Sequence, residues 1–152
     1  ADILAGDGNR VQVISGGSAT TLATFTNVTP SALLGADWYG DGKAEVVIGE
    51  HGKNRVLVML GGSAWAASAD AAEQANWIVN GEKSTDQFGY SLSSGDLDGD
   101  GGQDLILGSR AHVLNDRSDP HFNDAGAVYV LYGQPGITIP PEWSIFLPLV
   151  RR

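Results

Sequence analysis

One pattern is written three times along this chain, and a chain that repeats itself stacks like units rather than folding around one centre. The run Val11-Gln-Val-Ile-Ser-Gly16 returns as Val56-Leu-Val-Met-Leu-Gly61 and as Val128-Tyr-Val-Leu-Tyr-Gly133. A second run precedes each of these: Asp2-Ile-Leu-Ala-Gly6, Glu45-Val-Val-Ile-Gly49 and Asp104-Leu-Ile-Leu-Gly108. The connectors agree as well, with Gly8-Asn-Arg-Val11 against Lys53-Asn-Arg-Val56 and Gly16-Gly-Ser-Ala19 against Gly61-Gly-Ser-Ala64. Short runs of Val, Ile, Leu and Tyr bounded by glycine are strands. The 21 glycines among 152 residues, about twice the usual share, fit the many turns that such strands need. The fold class expected is all-β.

An acidic loop introduces the third copy. Asp96-Leu-Asp98-Gly-Asp100-Gly-Gly-Gln-Asp104 puts carboxylates at relative positions 1, 3, 5 and 9. Carboxylates this dense repel one another unless a cation sits among them. Ca²⁺ suits the site because it accepts many oxygen ligands in flexible geometry. Gly99, Gly101 and Gly102 let the backbone curl tightly enough to turn alternate side chains inward. The candidate ligands are Asp96, Asp98, Asp100, Gly102 and Asp104. An EF-hand is excluded, because its twelfth position needs a bidentate Glu and Leu107 stands there between strand-like flanks. A bare acidic turn is the bland alternative, and the regular spacing argues against it.

The loop has a degenerate copy, Asp37-Trp-Tyr39-Gly-Asp41-Gly-Lys-Ala-Glu45. Tyr39 replaces the third-position acid, and a neutral phenol is a poor calcium ligand. A set of Asp37, Asp41, Lys43 and Glu45 is therefore expected to hold calcium less well or not at all. At the start of the chain only the ninth-position acid, Asp2, is present, as a partial site.

Phe88-Gly-Tyr-Ser91, Gly95-Asp-Leu-Asp-Gly-Asp-Gly101, Asp104-Leu-Ile-Leu-Gly108 and Gly126-Ala-Val-Tyr-Val-Leu-Tyr-Gly133 together resemble the FG-GAP repeats of integrin α-subunit β-propellers and their bacterial relatives. The resemblance covers 76–133 closely and 1–75 more loosely. Ser109-Arg110 departs from the family's frequent Ala-Pro, and the second copy has Leu33-Leu34 roughly where Phe-Gly would stand. The resemblance implies four-stranded antiparallel blades with calcium between a blade's first and second strands.

On that plan the strands of copy three lie near 88–95, 104–108, 127–132 and within 143–149. Those of copy two lie near 31–36, 45–48, 55–60 and 76–80. Copy one has 2–5, 11–15 and 21–26 and lacks its first strand. The expected architecture is an incomplete β-propeller of about three blades, with repeats over 1–27, 28–80 and 81–139 and a Pro-rich tail over 140–152. Propellers need about 4–8 blades to close, so the chain is expected to be a piece of a longer polypeptide or to be completed by other copies or other chains. A neighbour's C-terminal segment could do so by adding a strand. The tail itself, with Trp143-Ser-Ile-Phe-Leu-Pro-Leu-Val-Arg151, looks like short endings of exported bacterial proteins and suggests a true C-terminus.

The formal charge of −9 disfavours nucleic acid, whose phosphates need a basic surface. Absence of cysteine removes thiolate chemistry and disulfides without fixing the compartment, since calcium can serve as the staple of an exported protein; free calcium is scarce in cytosol, so the loop favours an extracellular or cell-surface setting. The opening residues have neither the basic nor the apolar stretch of a signal peptide, and Ile145–Val150 is too short to span a bilayer. The insert 109–125 carries His112, Asp116, Asp119, His121 and Asp124, the candidate partner-binding residues, since long loops often bind. Trp38, Trp65, Trp77 and Trp143 are expected to pack between blades, with stacking on a glycan as the other reading. Ser68–Ala75 has helix-forming composition, and His51 is expected to be solvated. No nucleophile elbow, zinc-protease helix or phosphate loop is written in the sequence. The expected role is a non-catalytic calcium-binding module of an extracellular adhesive or structural assembly. The alternative is an accessory propeller of a larger secreted hydrolase or lyase.

Overall fold

The structure is a computed structural model that describes residues 2–111 and 126–133. It contains three β-sheets packed in series, one for each copy of the repeat. The first holds β1 (Ile3–Asp7), β2 (Arg10–Ile14) and β3 (Thr21–Thr26). The second holds β4 (Ala32–Ala36), β5 (Glu45–Glu50), β6 (Arg55–Met59) and, after an excursion, β8 (Trp77–Asn80). The third holds β9 (Phe88–Gly95), β10 (Asp104–Ser109) and β11 (Ala127–Leu131). Neighbours within each repeat pair antiparallel, and the registers agree, as in Leu4↔Val13, Val47↔Val58 and Ile106↔Val130. This is the expected all-β, blade-like architecture, and among the described residues the sheets do not close into a ring.

Alternation along each strand builds two cores between the sheets. Val11, Val13 and Phe25 of the first sheet meet Val46, Ile48 and Leu57 of the second. The opposite face of the second sheet, with Val47, Val56 and Val58, meets Phe88, Leu105 and Leu107 of the third. Buried on both faces, β5 carries apolar residues at consecutive positions 46–48.

The Phe-Gly pair has a clear physical reason. Phe88 is fully buried, and its N–H donates to Asn54 Oδ1 at 2.9 Å. Gly89 has φ +82°, and a Cβ there would stand 2.6 Å from the carbonyl oxygen of Arg55. A Cβ on Gly49 would in turn run into the carbonyl of Gly89. In the second sheet this place belongs to Thr29-Pro30 and not to Leu33-Leu34, because Ala32 pairs Gly49 as Ser91 pairs Gly108. Pro30 accordingly faces Gly6 as Gly89 faces Gly49.

The first sheet departs from expectation on its outer side. It has a fourth, short strand, β7 (Ala69–Asp70), running parallel to β3 and supplied by the connection between β6 and β8. Thr24 N–H reaches Ala67 O at 3.0 Å and Thr26 Oγ1 donates to Ala69 O at 3.1 Å, covering an otherwise bare edge. On the other side β1 ends the sheet, where a first blade strand would lie. The helix expected over 68–75 is the single turn α1 (Ala71–Gln74), with Asp70 capping Ala72 N–H at 2.8 Å. It starts late because residues 69–70 pair with β3.

Trp38 and Trp77 are buried and meet edge to face at 5.8 Å, so these two pack between sheets as expected. Trp65 leans on Phe25 at 5.8 Å, partly buried. His51 is not freely solvated: half-buried, it sets its ring edge-on to Tyr90 at 5.4 Å. The expected strand within 143–149, Trp143 and the tail lie outside the described residues. Among the described residues no helix is long and apolar enough to cross a membrane.

Candidate metal centre

The loop between β9 and β10 is wound by its own carboxylates. Asp96 accepts the N–H groups of Gly99 at 2.7 Å and Gly101 at 3.1 Å. Asp98 accepts Asp100 N–H at 3.2 Å, and Asp100 accepts Gly102 N–H at 2.8 Å. Gly99 and Gly101, with φ of 80° and 89°, take the left-handed conformation that this winding requires.

Asp104 begins β10 and is fully buried. Its two oxygens accept Leu97 N–H at 2.7 Å and Gly133 N–H at 2.8 Å, fastening the loop to the end of β11.

Oxygens of Asp96, Asp98 and Asp104 converge within 4.8 Å of one another, the first two exposed and the third buried. Unit charges this close repel by about 1 kcal/mol in water-like surroundings and several times more as the dielectric falls. Each carboxylate offers about four lone-pair directions, so those hydrogen bonds leave acceptors for a cation. An all-oxygen, multiply anionic set fits a hard dication such as Ca²⁺ and not a soft metal. Asp100 stands outside the converging group, and Gly102 is buried in the turn beside it.

The loop between β4 and β5 has the same winding with different chemistry. Asp37 accepts Asp41 N–H at 3.0 Å and Gly42 N–H at 2.9 Å. Lys43 places its ammonium 3.4 Å from Asp41, so a side chain already supplies positive charge. Glu45 is buried, accepting Trp38 N–H at 2.7 Å and Gly61 N–H at 3.4 Å. Burial pushes its carboxyl above the usual range, against the pull of those backbone bonds. Tyr39 turns away from metal chemistry. Its ring lies 5.2 Å from Trp38 and 5.5 Å from Trp77, and burial drives its phenol pKa far upward. Among the described residues, Asp37, Asp41, Lys43 and Glu45 do not form a converging group like that at 96–104. In the first sheet, Asp2 accepts Gly16 N–H at 3.2 Å.

Reasoning from sequence missed the glycines at the ends of the third strands. Gly16, Gly61 and Gly133 each donate to the ninth-position acid of their own repeat. The signal was present, since all three apolar runs end in that glycine. Of the candidate partner residues, His112, Asp116, Asp119, His121 and Asp124 all lie outside the described residues.

Residues 88–131 match the FG-GAP repeat and residues 37–107 match the FG-GAP-like repeat. FG-GAP and FG-GAP-like repeats thus occupy residues 37–131. Integrin alpha ina-1 of Caenorhabditis elegans is 36% identical over 103 residues, covering 64% of this chain and 8% of that protein. Integrin alpha-PS2 of Drosophila melanogaster is 29% identical over 114 residues, covering 74% of this chain and again 8% of its own length. The chain thus spans a small part of each integrin's length, and its FG-GAP sheets are a propeller-like module.

Proposed function

We propose that this chain is a non-catalytic, calcium-binding propeller module of an extracellular adhesive or structural assembly, completed by other copies or other chains. The observation that carries the reading is the convergence of Asp96, Asp98 and Asp104 within 4.8 Å in a loop between the first two strands of a blade. Calcium there offsets carboxylate repulsion and braces β9 against β10 and β11, because Asp104 also holds the backbone of Leu97 and Gly133. Similarity to two integrin alpha chains supports an adhesive role at the cell surface and protein partners.

The test is thermal unfolding of the intact chain with calcium and with excess EDTA. A higher melting temperature in calcium is expected, and Asp98→Ala removes most of that gain while staying folded. Equal melting temperatures in calcium and EDTA would sink the metal assignment.

A further inference from the structure

The loop at 96–104 is fastened to the neighbouring sheet through its ninth-position acid. Gly133 donates its N–H to Asp104 at 2.8 Å. The glycine is wedged in place: a Cβ there would stand 2.6 Å from Gln103 O, in the loop, and 2.9 Å from Trp38 O, in the second sheet. Trp38 is 3% exposed and sets its ring against Trp77. Its N–H donates to Glu45 Oε2 at 2.7 Å, and Glu45 Oε1 accepts Gly61 N–H at 3.4 Å. Asp104, Gly133, Trp38 and Glu45 are all buried. A continuous run of tight contacts therefore leads from one acidic loop into the other.

The two ninth-position acids grip equivalent groups. Glu45 takes the N–H groups of Trp38 and Gly61, as Asp104 takes those of Leu97 and Gly133. They are also chained, because the residue that Glu45 fixes, Trp38, is the one whose carbonyl backs Gly133. A buried run packed as densely as a protein interior does not shift at one member alone. If Trp38 moves, Gly133 loses its backing. Asp104 can then turn its oxygens away from those of Asp96 and Asp98, with which they now converge.

Building on the proposed function, we infer that Glu45 and Trp38 are positioning residues for the calcium site of the next repeat. Without touching the ion, they hold Gly133, and through it Asp104, in ligand geometry. The coupling is reciprocal by linkage, so calcium at 96–104 in turn tightens the seat of the second sheet on the third. This gives the degenerate loop at 37–45 a role that needs no ion of its own.

Isothermal titration of the full chain with calcium tests this. Glu45→Ala strands the Trp38 and Gly61 N–H groups and is expected to weaken calcium binding about fivefold, the lower end of ordinary coupling, with the number of bound ions unchanged. Glu45→Asp, which repeats the acid found at Asp104, is expected to restore most of the affinity. Val13→Ala, in the core between the first and second sheets, is expected to lower the melting temperature while leaving the affinity as in wild type. If Glu45→Ala does not fold, Glu45→Gln serves in its place, since it keeps the bulk but turns an amide N–H toward one of the two donors. Unchanged affinity in the folded Glu45 variant overturns the inference, as does equal weakening by Val13→Ala. A fall in the number of bound ions overturns it too, because Glu45 would then be a ligand itself. A wild type that gives no binding heat overturns the proposed function and this inference with it, whereas the other outcomes overturn the inference alone.

Discussion

Asp104 and Gly133 lie 29 positions apart and are joined by a 2.8 Å hydrogen bond from the glycine N–H to the buried carboxylate. The same bond links Glu45 to Gly61 at 3.4 Å and Asp2 to Gly16 at 3.2 Å. The ninth-position acid thus has two jobs. It faces the loop as a candidate ligand, and it ties the start of a blade's second strand to the end of its third. The glycine is required by space, since a Cβ on Gly133 would stand 2.6 Å from Gln103 O and 2.9 Å from Trp38 O. That second oxygen belongs to the neighbouring sheet, so the bond is made where two blades touch.

Asp104→Ala should therefore cost stability even without metal. It strands two backbone donors in a buried place, at about 3 kcal/mol. Urea unfolding in EDTA measures this directly. Asp98→Ala, whose side chain is exposed, should be near neutral in EDTA and differ from wild type only when calcium is added. If both variants were neutral in EDTA, the structural role of Asp104 would be wrong.

Gly89→Ala tests the close approach of the second and third sheets. Its left-handed backbone disfavours a side chain, and the added methyl meets Arg55 O at 2.6 Å and Val56 Cγ2 at 3.1 Å. Strain and crowding together should cost about 3 kcal/mol. Gly99→Ala shares the left-handed φ, at 80°, but meets nothing within 4 Å, and should cost clearly less. Denaturant midpoints of the two variants separate crowding from backbone strain.

The strands were legible because apolar runs closed by glycine carry both the period and the boundaries. The loop at 96–104 was legible because its spacing is that of ligands, and its copy at 37–45 because one acid had become tyrosine. Other features depend on contacts distant in sequence. Nothing within Ala69-Asp70 announces a strand, since the pairing answers the bare edge of β3. Thr29-Pro30 could not be identified as the Phe-Gly counterpart until strand register was known. The loop spacing places Asp100 with Asp96 and Asp98, but in the folded loop its carboxylate lies outside the converging group and accepts Gly102 N–H. Nothing beside His51 in the sequence announces its partner, because Tyr90 comes to it from the next sheet.

Glu50 makes acid sensitivity predictable. Burial raises its carboxyl, but the Lys53 ammonium, Thr29 N–H and Arg55 guanidinium outweigh that and hold it below the ordinary value. Their contacts lie at 2.8, 2.9 and 2.6 Å. A carboxyl depressed in the folded state contributes stability above its unfolded pKa, about 4.3. That contribution is lost as pH falls through the lower folded value. Glu45, held upward by burial, works the other way: its ionisation penalises the folded state as pH rises through its folded pKa. Glu50→Gln should cost about 3 kcal/mol near neutrality and flatten part of the acid limb. Melting temperature against pH, in EDTA for both proteins, shows this. An unchanged acid limb would rule Glu50 out as its source.

The loop at 37–45 offers a constructive test. Lys43 already sets its ammonium on Asp41, and Tyr39 is committed to Trp38 and Trp77. Asp41→Ala should therefore leave calcium binding essentially as in wild type, with one ion bound. Tyr39→Asp combined with Lys43→Gly rewrites the loop in the pattern of 96–104, adding the third-position acid and removing the internal cation. Loss of the Tyr39 packing should cost about 2 kcal/mol in EDTA. Isothermal titration should then count two calcium ions per chain, with the second recovering part of the lost stability. A double variant that folds but still binds one ion would show that loop winding and aromatic packing, beyond these two side chains, decide whether a blade takes a metal.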